Sequence, residues 1–170
     1  ATGWAFRWLP LARAPTWSAN DGAAQGSTRV RATPLSAELD PAGARIALVD
    51  QDGRALVRAL DGTSAVDIAT QATRARWMPD GSALAVGGAD SALRIVDASN
   101  GALLLESKWE PKNSGAPGVA DLDVRSDGRQ VVVAGRDGRV RFIALADEGE
   151  ARSDIVVFPM RSIAYDPAGK

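Results

Sequence analysis

Histidine and cysteine are both absent from this 170-residue chain. Their absence excludes thiol nucleophiles, disulfides, thiolate or imidazole metal sites, haem ligation and every catalytic triad built on imidazole. Aromatic residues make up only 5%, so stacking platforms for single-stranded nucleic acid are poorly supplied. Neither sign of charge dominates, because 20 Lys and Arg face 21 Asp and Glu for a net charge of −1. Such a chain has no general field to draw in nucleic acid or anionic lipid. Lysine is rare too: Lys108, Lys112 and Lys170 are the only three, and the remaining basic residues are Arg, a bias of bacterial-like, genomic origin rather than of mechanism. No apolar run approaches the ~20 residues of a membrane-spanning helix. What remains is a globular composition, 45% hydrophobic, of a length that fits one domain.

Within it lies a repeat. Four segments align: Leu35-Ser-Ala-Glu-Leu-Asp-Pro-Ala-Gly43, Thr73-Arg-Ala-Arg-Trp-Met-Pro-Asp-Gly81, Ala120-Asp-Leu-Asp-Val-Arg-Ser-Asp-Gly128 and Arg161-Ser-Ile-Ala-Tyr-Asp-Pro-Ala-Gly169. Each is a short, partly alternating stretch that ends in a Pro/Asp/Gly turn. The turn glycines lie 38, 47 and 41 residues apart, which brackets the ~40–45 residues of a four-stranded propeller blade. A second ruler is tighter. From Gly43 to Gly53, Gly81 to Ser91 and Gly128 to Gly138 the distance is 10 residues each time.

Between those paired turns run Arg45–Val49, Ala83–Val86 and Gln130–Ala134, and beyond them Ala55–Leu60, Ala92–Val96 and Val140–Leu145. Outer strands are expected at Ala65–Ile68 and Ala102–Leu105, and less cleanly at Ile155–Phe158. Asp-Gly and Asn-Gly turns suit tight hairpins, since those turns need positive φ. Short strands about every ten residues, without long 3.6-period runs, predict an all-β chain.

Residues 78–97 resemble the core of a WD-repeat blade, and Asp137–Ile143 is similar to the third strand of the same family. The resemblance covers roughly residues 30–170, and repeat two carries it best. It implies β-propeller blades of four antiparallel strands, at about 30–70, 71–107 and 118–158, with a fourth starting at 160–170. The family's Trp-Asp pair aligns with Val96-Asp97, Ile143-Ala144 and Arg58-Ala59, so only Asp97 matches, and the Gly-His pair has no counterpart. The buried hydrogen-bond network of such blades is therefore expected to be incomplete and replaced by apolar packing. TolB-like periplasmic propellers share the Pro-Asp-Gly and Asp-Gly turns and are the second family reading.

Three blades do not close a ring, because single-chain propellers need about four to eight to cover every edge. The expectation is an incomplete or partner-completed ring: a fragment first, an assembly with copies or a partner second, and a blade supplied by residues 1–27 third. Residues 1–29 are read as an aromatic strand or docking segment followed by a linker, with residues 18–28 the linker by composition. Trp4, Phe6 and Trp8 alternate with Ala5 and Arg7, as on a strand with one buried face. Any membrane contact would run through these three side chains, although Pro10 and Pro15 break an amphipathic helix there.

No motif carries chemistry. Asp121, Asp123 and Asp127 lack the order and the distal Glu of a calcium loop and fill a strand and turn instead. Gly87-Gly88-Ala89-Asp90 enters a strand rather than a helix, so it is no phosphate cradle. Arg74, Arg76, Arg94, Arg136, Arg139 and Arg141 alternate with apolar residues and are read as solvent-facing on outer faces. No enzyme activity, cofactor, metal or nucleic-acid partner is expected. The function expected is a non-catalytic interaction scaffold, an accessory subunit or domain of a larger complex with other protein subunits as partners. The alternatives are a sensor or regulatory propeller attached to an enzyme elsewhere, or a periplasmic TolB-like propeller. The partner is placed on the rim carrying 108–117, with Lys108, Trp109, Lys112 and Arg136 as contact residues. Whether Trp109 anchors a partner or folds back to cap the blade edge is left open by the sequence.

Overall fold

A computed structural model of the chain describes residues 12–17, 24–30, 33–111, 116–146, 151–156 and 160–166. Three four-stranded antiparallel sheets follow one another along it. Blade 1 is β3 (Pro34–Leu39), β4 (Arg45–Asp50), β5 (Ala55–Ala59) and β6 (Ala65–Ala69). Blade 2 is β7 (Ala72–Trp77), β8 (Ala83–Gly88), β9 (Ala92–Asp97) and β10 (Leu103–Lys108). Blade 3 is β11 (Val119–Val124), β12 (Gln130–Gly135), β13 (Arg139–Ala144) and β14 (Ala151–Val156). In each sheet the strands pair in chain order. A separate hairpin, β1 (Ala12–Trp17) with β2 (Ala24–Val30), precedes them. No helix occurs among the described residues, and the three blades do not close a ring.

The ten-residue ruler has a physical basis. Gly43, Gly81 and Gly128 hold the first turn of their blades at φ of 69°, 72° and 69°, in the left-handed region. The second turns repeat this at Gly53 and Gly138, and at Ser91 with φ 59°. The six or so residues between two such turns can only make one strand. Because blades stack face to face, that strand is buried on both sides and loses its polar alternation. All six residues of β8 are buried.

Which face each side chain serves follows from the same count. The third and fifth residues after the first-turn glycine look toward the preceding blade: Leu84 and Val86 join Ala47, Val49 and Val57 of blade 1. In blade 3 the same positions, Val131 and Val133, join Ala85, Leu93 and Ile95 of blade 2. Leu84, Leu93 and Leu122 are essentially sealed from solvent, each stabilising the stack by about 1.5–3 kcal/mol.

The strand bounds differ from expectation mainly at the periphery. The outer strand of blade 2 is Leu103–Lys108 rather than Ala102–Leu105, and that of blade 3 ends at Val156 rather than running Ile155–Phe158. Residues 24–28, read as linker, belong to β2. Trp4, Phe6 and Trp8 lie outside the described residues. The fourth repeat is also corrected: residues 161–165 form no strand. Instead Ile163 N–H donates to Asp121 Oδ2 at 3.0 Å and Tyr165 N–H to Asp123 Oδ2 at 2.8 Å. Trp77 N–H donates to Glu38 Oε2 of the preceding blade in the same manner, at 3.2 Å. Tyr165 and Trp77 both stand four residues before their turn glycine, so the fourth repeat takes up the inner-strand contact without the ladder.

Asp40 closes the first turn of blade 1. Buried at 5% exposure, its carboxylate accepts Ala44 N–H at 2.7 Å, Arg45 N–H at 3.0 Å and Arg45 Nε–H at 2.9 Å. Arg45 then donates to Gly81 O at 2.7 Å and lies 4.7 Å over the Trp77 ring, tying blade 1 to blade 2. Burial pushes the Asp40 carboxyl up, but the Arg45 and Ala44 donors outweigh it and hold it below its ordinary value. A carboxyl depressed in the folded state contributes stability above its unfolded pKa and loses it as pH falls through the folded one. Melting temperature followed from neutral pH to about pH 3 should therefore fall less steeply in Asp40→Asn than in the wild type. Parallel curves would show that Asp40 is not a significant source of acid sensitivity.

Candidate interaction rim

Backbone hydrogen bonds place the second turns and the blade-to-blade connections on one rim. Ala72 N–H donates to Gly53 O at 2.8 Å, Ala89 N–H to Gln71 O at 2.8 Å, and Arg136 N–H to Gly118 O at 2.9 Å. Trp109 N–H donates to Ser91 O at 3.1 Å, and Gly118 N–H to Ser91 Oγ at 2.9 Å. Ser91 stands where Gly53 and Gly138 stand in the other blades, and its hydroxyl supplies a bond that glycine could not.

Two blades carry the same polar insert on this rim. In blade 3 the Arg141 guanidinium donates to both oxygens of Asp137, at 3.0 and 2.5 Å. In blade 2 Arg94 does the same to Asp90, at 3.1 and 2.5 Å. The pair needs room beneath it, and a glycine provides it each time. A Cβ on Gly135 would lie 2.3 Å from Asp137 Oδ1 and 2.6 Å from Arg141 Nη1; one on Gly88 would lie 2.2 Å from Asp90 Oδ1 and 2.9 Å from Arg94 Nη1. The signal was present in the sequence as Gly-x-Asp-x-x-x-Arg, at Gly88–Arg94 and Gly135–Arg141. Blade 1 has Asp50 in place of the glycine and Leu56 in place of the arginine, and there the Asp50 carboxylate caps the turn by accepting Asp52 N–H and Arg54 N–H.

The two pairs differ in environment. Both side chains of Asp137 and Arg141 are 2–3% exposed, whereas those of Asp90 and Arg94 are 20–21% exposed. Trp109 accounts for part of the difference: the Arg141 guanidinium lies 4.8 Å from its ring centroid, and the ring packs against the core between blades 2 and 3. Arg94 instead faces Glu106 at 2.7 Å. The hydrogen bond from Arg94 holds the Asp90 carboxyl below its usual value and Arg94 above its own.

Of the predicted contact residues, the rim brings together Lys108, Trp109 and Arg136. Lys108 is exposed, with Nζ 4.0 Å from Asp90 Oδ2; Arg136 is exposed on its turn and Trp109 is partly buried. Lys112 lies outside the described residues. The reading of the arginines as solvent-facing on outer faces holds for the exposed Arg136 but is corrected for Arg74, Arg76, Arg94 and Arg141. Arg141 is buried between blades, and Arg74 and Arg76 sit on the inner strand β7 beside the carboxylates of blade 3. Arg74 Nε is 3.6 Å from Asp121, and Arg76 is 4.0 Å from Glu38, Asp121 and Asp123. Burial pushes the Glu38 carboxyl up despite Arg76 and Trp77 N–H. The expected replacement of the blade network by apolar packing is likewise amended, since the Asp–Arg pairs supply hydrogen bonds at the turns. Among the described residues no three acidic side chains are placed to hold a metal ion.

Comparison with known proteins agrees with this architecture. Residues 41–116 match the family model of the anaphase-promoting complex subunit 4 WD40 domain. The β-propeller domain of Myceliophteria thermophila Cps50 (Swd1) superposes with a TM-score of 0.65 at 19% identity, over 75% of this chain and 43% of that one. The chain thus spans less than half of the propeller it resembles. No curated protein matches the sequence. The WD-repeat resemblance and the propeller fold are both borne out.

The unequal burial of the two Asp–Arg pairs makes a paired test. Gly135→Ala should cost about 3 kcal/mol, because it breaks a buried ion pair with nowhere to go. Gly88→Ala should cost about 1 kcal/mol, because Asp90 and Arg94 can turn toward solvent. Urea unfolding of the two variants measures this. Equal losses would show that the glycines serve some need other than room for the pair.

Proposed function

We propose that these WD-repeat propeller blades are a non-catalytic protein-interaction scaffold, an accessory subunit or domain of a larger complex whose partners are other protein subunits. The observation that carries the reading is the rim itself. Exposed Lys108 and Arg136 share this rim with Trp109, whose ring is already held against Arg141. A pre-positioned aromatic ring loses little conformational entropy on docking, and the stacked blades beneath hold the rim in place. Lys112 joins this contact surface in the proposal. The charged groups of the inner strands are paired with one another, which supports a structural rather than a catalytic role for them. The matching family model describes a subunit of a complex, which supports the same reading.

A photo-crosslinking amino acid at position 108 or 136 should capture the native partner, while the same group at Asp61 or Asp127, on the opposite rim, should not. The double reversal Lys108→Glu with Arg136→Glu should weaken association about tenfold and leave the melting temperature almost unchanged, as expected of surface positions. Trp109→Ala should lower both, since its ring is part of the junction. Equal crosslinking from the two rims would overturn the assignment.

A further inference from the structure

The two blade junctions are built to one plan but filled differently. At the junction of blades 2 and 3, the connection leaving β10 sends Trp109 over the Arg141 guanidinium, and the Asp137–Arg141 pair beneath is sealed at 2–3% exposure. At the junction of blades 1 and 2, the connection leaving β6 reads Thr70-Gln71 and supplies no aromatic ring. There a groove of about 460 Å³ lies open, walled by Ile68, Thr70, Gln71, Val96 and Leu103, with the Asp90–Arg94 pair in it at 20–21% exposure. Leu103 adds an apolar lip that is 57% exposed.

We propose that this groove is a binding site for an aromatic side chain, Trp foremost, presented by a peptide segment of a partner protein. The ring would stack on the Arg94 guanidinium as Trp109 stacks on Arg141, with its edge against Ile68, Val96 and Leu103. The chemistry of the walls fits that occupant. An indole offers a π-face to the cation, which strengthens as water is excluded, and an apolar perimeter to the aliphatic walls. An acidic ligand fits less well, because Asp90 and Glu106 already pair with Arg94. Lys108, with Nζ 4.0 Å from Asp90 Oδ2, stands at the edge of the groove, so the site borders the Lys108 and Arg136 contact surface but rests on the Arg94 guanidinium rather than on those charges.

The probe is the chain's own cap in trans, the acetylated and amidated tetrapeptide Ser-Lys-Trp-Glu copied from residues 107–110, titrated into the intact chain. The readout is the Nε–H resonance of Arg94 in a ¹⁵N-correlated spectrum. The Trp peptide should shift it with Kd in about the millimolar range, and the same peptide with Ala for Trp should bind at least about tenfold more weakly. Thr70→Trp, which plugs the groove from within, should raise the melting temperature and abolish the shift. Arg94→Gln should weaken binding of the Trp peptide by a similar factor, and the plugged variant keeps the test valid if that substitution perturbs folding. Equal binding of the two peptides, a shift at Arg141 instead of Arg94, or undiminished binding to Thr70→Trp would each overturn the proposal.

Discussion

Each blade must bury both faces of its sheet against neighbouring blades, and the rest of the molecule is arranged around that requirement. A sheet covered on one side only could keep polar residues at every second position. Here β8 is buried throughout, and its neighbours β4 and β12 keep polar character only at their ends. Polar groups are therefore pushed to three places: the two rims, where turns lie, and the inner strands, where blades converge. On the inner strands the charges are matched across blades, Glu38 with Arg76, and Arg74 and Arg76 with Asp121 and Asp123. The same carboxylates accept backbone N–H groups from the following repeat, so one row of side chains serves both charge neutralisation and blade docking.

The turn ruler was fully legible because it rests on backbone geometry. A residue must enter the left-handed region at fixed intervals, and few residue types do so cheaply. The short apolar run inside each ruler then assigned β4, β8 and β12 to within two residues. Outer strands were less legible because the edge of a blade imposes no face-to-face packing. Leu103 and Leu104 are more than half exposed, so hydrophobicity there carries no burial signal.

The arginines were misread for a different reason. Arg141 alternates with Val140 and Phe142, and alternation alone places it on the face opposite to those residues without saying whether that face is wet. In a propeller both faces are dry. What marks the buried arginine is its partner four residues earlier and the glycine that makes room for both, a pattern visible only when blades 2 and 3 are laid over each other. Trp109 was half legible. Its place on the rim followed from the longer connection between blades 2 and 3, but its stacking on Arg141 required knowing that a cation was buried beneath it.

Blade 1 shows what happens when the insert is absent. With Asp50 at the glycine position and Leu56 at the arginine position, the turn is closed locally by a carboxylate accepting Asp52 and Arg54 N–H groups, and Leu56 packs beside Ile46 and Leu48. The apolar stack beneath is laid out alike in all three blades. The Asp–Arg insert is thus an addition to the rim rather than a condition of the fold. A buried ion pair seldom repays its desolvation in stability when an apolar side chain could take its place. Leu56 demonstrates that such a replacement is compatible with this architecture, so the insert of blades 2 and 3 is better understood as a way to set a guanidinium at a fixed height between blades. Where an aromatic ring comes from the same chain, that guanidinium is covered. Where the connection is too small to cover it, the cation remains part of the surface the propeller offers.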